Sequence, residues 1–172
     1  NDSNTATVTL TVNAVNDAPV ASNQSVTTTE DVAVGITLVA SDVDADAMTL
    51  SVVTSPGNGT LSGSGASRTY TPQANWNGTD SFTFKANDGS LDSNTATVTV
   101  TVSSSNDAPV ALNQSTSLNE DGTATLTLSA SDNDATALSY SIVTSPGNGT
   151  LSGTGATRTY TPTANINGTD TF

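Results

Sequence analysis

The sequence predicts an all-β chain of tandem Greek-key β-sandwich domains with a period of 90 residues, and three observations carry that expectation. The first is internal repetition. Asn16-Asp17-Ala18-Pro19-Val20 returns as Asn106-Asp107-Ala108-Pro109-Val110, and the stretch from Thr54 to Gly63 returns unchanged at 144–153. Residues 16–82 match 106–172 at 45 of 67 positions without a gap, so one repeat is one structural unit. The second observation is apolar alternation at period two, and the third is that nothing in the chain shows helical spacing.

In chain order, Ile36, Leu38 and Ala40 form the first inward trio, Met48, Leu50 and Val52 the second, and Phe82, Phe84 and Ala86 the third. From 93 to 102, Ala96, Val98, Val100 and Val102 share one face while Thr95, Thr97, Thr99 and Thr101 share the other, as in a half-buried strand. Between the strands lie Pro56-Gly57-Asn58-Gly59 and Gly63-Ser64-Gly65, where Gly and Asn permit the positive φ that tight turns require. About seven such strands per repeat imply an antiparallel sandwich of immunoglobulin type. Trp76, replaced by Ile166 in the next repeat, and Tyr70 with its counterpart Tyr160, are expected to pack inward.

The repeat also sets the expected domains. Residues 1–12 align with 91–102 and read as the last strand of a preceding repeat, residues 13–15 as a linker, 16–105 as a complete repeat, and 106–172 as a second repeat lacking its final strand. Two readings of those ends stand side by side. Either the chain is a window on a longer array, or residues 3–12 complete a neighbouring molecule by strand addition.

Composition narrows the function. Sixteen Asp and Glu face only Arg68, Lys85 and Arg158, a formal net charge of -13, so nucleic acid and anionic membranes are poor partners and cations good ones. No apolar run reaches the length of a membrane span, and no charged segment followed by an apolar stretch marks a signal peptide. Without cysteine there are no disulfides and no thiolate metal sites. Without histidine, and with the lone lysine in a predicted strand, no ordinary base is at hand to activate a nucleophile, so the chain is not expected to be an enzyme.

The acidic residues recur at matched places: Asp17 with Asp107, Glu30-Asp31 with Glu120-Asp121, Asp42 and Asp44 with Asp132 and Asp134, and Asp80 with Asp170. Calcium takes six to eight oxygen ligands, which acidic loop residues at spacings such as Asp42-Val43-Asp44 can supply. Asp is equally a good turn residue, and that plainer reading stands beside the first.

At these residues the chain resembles bacterial cadherin-like tandem repeats of large surface and secreted proteins, a family related in fold to animal cadherins. The resemblance spans the whole chain. It is carried by Asn16-Asp17-Ala18-Pro19 and its repeat at 106–109, by Glu30-Asp31 followed by Gly35, by Ala40-Ser41-Asp42-Val43-Asp44, and by Phe82 to Gly89. The resemblance implies calcium held between domains: Asn16, Asp17, Asp42, Asp44 and Asp88 at the first junction, and Glu30, Asn106, Asp107, Asp132 and Asp134 at the second. Where the cadherin pattern has a further Asp two residues before the linker Asn, this chain has Ala14 and Ser104, which implies fewer ions and weaker binding.

The expected function is therefore structural. The chain reads as a spacer module of an extracellular or cell-surface adhesin, filament or matrix fibre, stiffened by interdomain calcium and partnered by adjacent repeats or identical chains. The alternatives are domains that themselves bind a partner cell or glycan, and head-to-tail polymers formed by strand complementation.

Overall fold

The computed structural model describes residues 1–134 and 136–172, and the chain divides into two compact units, Asn1–Ser105 and Asn106–Phe172. The described residues of the first unit form nine strands and no helix: β1 (Val20–Ala21), β2 (Gln24–Thr29), β3 (Val34–Thr37), β4 (Ala40–Ser41), β5 (Thr49–Thr54), β6 (Gly59–Ser64), β7 (Ser67–Pro72), β8 (Gly78–Asn87) and β9 (Ala96–Ser103). The excess over seven comes from β1 and β4, two-residue strands that pair with each other.

The rest form two sheets, one in the order β2-β9-β8-β5 and the other β3-β7-β6. The sandwich is not purely antiparallel, because β2 runs parallel to β9 from Gln24↔Val98 to Thr29↔Ser103. A parallel neighbour needs a long crossover, and the six strands between β2 and β9 provide one.

The alternation in the sequence becomes the core. Ile36, Leu38, Tyr70, Phe82, Phe84, Ala86, Ala96, Val98, Val100 and Val102 are buried, and Leu50, Val52, Leu61 and Trp76 pack partly against them. Each large side chain so buried contributes roughly 2 to 3 kcal/mol relative to exposure. The second trio is only half-buried, in keeping with the place of β5 at a sheet edge. The repeated Pro-Gly-Asn-Gly has a packing reason at its last residue: a Cβ on Gly59 would lie 2.5 Å from the Tyr70 ring. At the next hairpin Gly63 has φ 89°, and a Cβ there would meet the Ser67 carbonyl oxygen at 2.5 Å.

Residues 1–19 form no strand. The alternation of 3–12 is intact, but Val8, Leu10 and Val12 are exposed, since a strand exists only where another strand takes up its backbone hydrogen bonds.

The second unit contains β10 (Val110–Ala111), β11 (Ala124–Thr127), β12 (Ala130–Ser131), β13 (Gly149–Ser152) and β14 (Thr157–Pro162). These pair as β10-β12 and as a three-stranded sheet β11-β14-β13. At an offset of 90 they are the counterparts of β1, β3, β4, β6 and β7. Among the described residues, no strand forms at 114–119 or 139–144, the counterparts of β2 and β5.

Candidate metal centre

The acidic loop after β4 is placed by the chain on both sides of it. The Asp44 amide donates to Asp42 Oδ1 at 2.8 Å, closing an Asx turn, and Ala45 then takes φ 63°. That turn carries a third carboxylate into the group: oxygens of Asp42, Asp44 and Asp46 all lie within 4.8 Å of one another. Asp44 and Asp46 are exposed, whereas Asp42 is half-buried, and its Oδ2 is fully buried without a hydrogen-bond partner. Such an orphaned oxygen is costly unless something positive meets it.

The first residues of the repeat, next to the linker, close over this loop. The Asp17 amide donates to Asp44 Oδ2 at 2.7 Å, and Asn16 Nδ2 donates to Asp88 Oδ2 at 3.0 Å. The amide of Leu91, the side chain of Asn16 and the amide of Ser90 hold the Asp88 carboxyl below the usual carboxylate range, against slight desolvation. Asn16, Asp17, Asp42, Asp44 and Asp88 are thus drawn into one hydrogen-bonded region of unit 1.

Among the described residues, no cationic side chain pairs with the loop. The salt bridge found among the described residues, Lys85 to Asp92, lies elsewhere, and Arg68 donates to the carbonyls of Gly63 and Leu50. Three oxygen donors, an orphaned carboxylate oxygen and an exposed rim fit a hard cation such as calcium, with water completing its shell.

The other acidic residues do different things. Glu30 is buried where β2 ends, its amide donating to the Ser103 carbonyl and its Oε1 accepting from the Ser105 amide. Asp88 lies near the start of β9 and Glu30 near its end, so about 23 Å of strand separates them. Asp31, with φ 60°, accepts the Asn75 amide at 3.0 Å, and Asp121, with φ 62°, accepts the Asn165 amide at 3.1 Å, so each ties down a distant turn.

In the second unit Asp134 Oδ2 accepts from the Asp107 amide, and Asp132 Oδ1 caps the Asp134 amide at 2.8 Å, as in the first. The difference is at the third position. Thr136 replaces Asp46, and its hydroxyl donates to Asp132 Oδ2 at 2.7 Å. Among the described residues, Asn106 donates to the Asp107 carbonyl at 2.9 Å, and Glu120 is exposed in a turn.

The model for the bacterial Ig domain matches residues 16–101 and again 106–172. The chain belongs to the bacterial Ig domain family. Curated proteins offer no match. Among solved structures these Ig domains are similar to the protocadherin gamma B4 extracellular domain, at 19% identity and TM-score 0.43 over 88% of this chain and 30% of that one. They are similar also to titin domains Z1Z2 in complex with telethonin, at 17% identity and TM-score 0.37 over 86% of this chain and 82% of that one. An endo-fucoidan hydrolase of glycoside hydrolase family 107 matches at 21% identity and TM-score 0.40, and the chain spans 24% of its length.

Two residues of the Ig repeats acquire roles that spacing alone did not assign. Asp46 extends Asp42-Val43-Asp44 by one further alternate carboxylate, a signal legible as Asp-x-Asp-x-Asp. Asp80, a weak metal candidate by position, is buried and accepts from the amides of Gly57, Asn58 and Ser81 at 2.8 to 2.9 Å and from the Tyr70 hydroxyl at 2.9 Å. Burial pushes its carboxyl up, but the three amides and the phenol together outweigh burial and hold it below the usual range. Its oxygens are taken, which makes it the clamp of the repeated Pro-Gly-Asn-Gly turn.

Proposed function

We propose that the chain is part of an extracellular or cell-surface repeat array, a spacer of an adhesin, filament or matrix fibre whose linkers are stiffened by calcium. The observation that supports this reading is the group of Asp42, Asp44 and Asp46 with its orphaned Asp42 oxygen, sitting against the linker amide of Asp17. An ion held there draws the three carboxylates together, and with them the linker that Asp44 already holds. Removing it leaves three like charges repelling one another at roughly 1 kcal/mol per pair in water-like surroundings. Extracellular sites of this kind bind at about 10⁻⁴ to 10⁻³ M, which suits calcium-rich surroundings outside a cell.

The partners proposed are adjacent repeats and identical chains, with a partner cell or glycan as the alternative, and no catalysis is assigned. Calcium titration followed by melting and calorimetry tests the ion. Calcium should raise the melting temperature of the first unit, and Asp42→Asn, which keeps the cap on Asp44 while losing the charge, should remove most of that rise. A melting temperature indifferent to calcium and chelator would refute the reading.

A further inference from the structure

We propose that the loop after β12 is an ion-free counterpart of the loop after β4, closed by its own hydrogen-bond donors where the first loop calls for a cation. The two loops share a frame. In each, the amide of the second Asp donates to the first to close an Asx turn, Asp44 to Asp42 and Asp134 to Asp132, both at 2.8 Å. In each, an Asp near the start of the repeat donates its amide to that second Asp, Asp17 to Asp44 and Asp107 to Asp134.

The loops differ at two positions, and both differences act on a carboxylate oxygen. Asp46 of the first loop is Thr136 in the second, and Val43 is Asn133. The Thr136 hydroxyl donates to Asp132 Oδ2 at 2.7 Å, and the matching oxygen of Asp42 is the one buried without a hydrogen-bond partner. The Asn133 side-chain amide donates to Asp107 Oδ2 at 3.2 Å, whereas Val43 has no side-chain donor to offer Asp17.

Both changes lower the loop's demand for an ion. The first loop gathers three carboxylates within 4.8 Å and leaves a buried oxygen unmatched, so added positive charge favours its closed form. The second loop has one carboxylate fewer, and three of the four oxygens of Asp132 and Asp134 already accept a donor. Donors to an ionised oxygen make strong hydrogen bonds, and a hard cation entering there competes with them for the same lone pairs. Asp132 and Asp134 therefore do not fit calcium as Asp42 and Asp44 do. The proposal rests on the calcium reading for the first loop alone. In an array, it makes the response to calcium a property set repeat by repeat at the positions of Val43 and Asp46.

The test is amide-resolved NMR of the 172-residue chain, in chelator and through a calcium titration. The amides of Asp44 and Asp46 should shift with calcium, while those of Asp132 and Asp134 stay in place to about tenfold higher concentration. Thr136→Val, which removes the hydroxyl at nearly constant volume, should speed hydrogen exchange of the Asp134 amide about tenfold, equally with and without calcium. Asn133→Val with Thr136→Asp, which rebuilds the first loop in the second, should bring the Asp132 and Asp134 shifts into the calcium range of the first. Amides of the second loop that follow calcium at the midpoint of the first, or Asp134 exchange indifferent to Thr136→Val, would overturn the proposal. If neither loop responds to calcium, the calcium reading of the first loop falls, and the exchange measurement still decides whether Thr136 closes the second.

Discussion

The two units share 45 of 67 aligned residues, yet among the described residues the first builds a four-stranded sheet and the second does not. What the second unit does form, β10 to β14, corresponds strand for strand to β1, β3, β4, β6 and β7. What it does not form among its described residues are the counterparts of β2 and β5, at 114–119 and 139–144, and that of the start of β8, at 168–172. The comparison separates propensity from pairing. Gln114-Ser115 repeats Gln24-Ser25 and Val143-Thr144 repeats Val53-Thr54, but β structure at these positions belongs to the sheet, not to the local residues.

The largest expected break in the comparison lies in the core. Phe82 is fully buried, whereas its counterpart Phe172 is 43% exposed. Phe82→Ala should cost the first unit about 4 kcal/mol. Phe172→Ala should cost the second no more than about 0.5 kcal/mol, the range of a surface substitution. Urea unfolding followed by Trp76 fluorescence reports on the first unit, where the only tryptophan resides, and circular dichroism reports on both. Equal losses in the two units would mean that Phe172 is packed in solution as Phe82 is.

The turn clamp should show the next largest difference. Asp80 is buried and Asp170 is not, although both accept the corresponding amides and tyrosine hydroxyl. Asp80→Asn should destabilise the first unit by about 2 to 3 kcal/mol, because a side-chain amide leaves buried donors unmatched. The depressed carboxyl of Asp80 also makes a pH prediction. A group whose folded pKa lies below its unfolded value stabilises fully above the unfolded value, about 3.9, and loses that stabilisation as pH falls through the folded one. Stability from this group should therefore be flat near neutrality and decline below about pH 4, and Asp80→Asn should flatten the decline. Asp170→Asn should change the acid response less, since solvent screens the more open pair.

Much of this was legible in the sequence, for identifiable reasons. The alternation at Phe82, Phe84, Val98 and Val100 reports burial directly, and the repeated Asn-Asp-Ala-Pro marks the start of each unit's family match. The parallel register of β2 on β9 was not legible, because periodicity gives a strand its faces and not its neighbours. Among the acidic residues, spacing found Asp42 and Asp44 but could not separate them from Asp31 and Asp80, which accept backbone amides of turns 44 and 22 to 23 residues away in sequence. Such distant amide partners leave no mark at the acidic residue itself.

The smallest expected effect is the one that decides most about the loops. Asp46→Thr copies the second unit's loop into the first, replacing a third carboxylate by a hydroxyl that can donate to Asp42 as Thr136 does to Asp132. The substitution should raise the stability of the first unit in chelator by about 1 kcal/mol, by supplying the buried oxygen with a donor and removing like charge. It should also weaken calcium binding about tenfold, since affinity at such sites follows the count of charged ligands. Thr136→Asp should do the reverse in the second unit, costing stability in chelator and returning it with calcium. Calorimetric titration and melting of the pair of variants check both signs. If Asp46→Thr stabilises the apo unit while leaving calcium affinity unchanged, the third carboxylate is a source of repulsion only, and the ion is held by other residues.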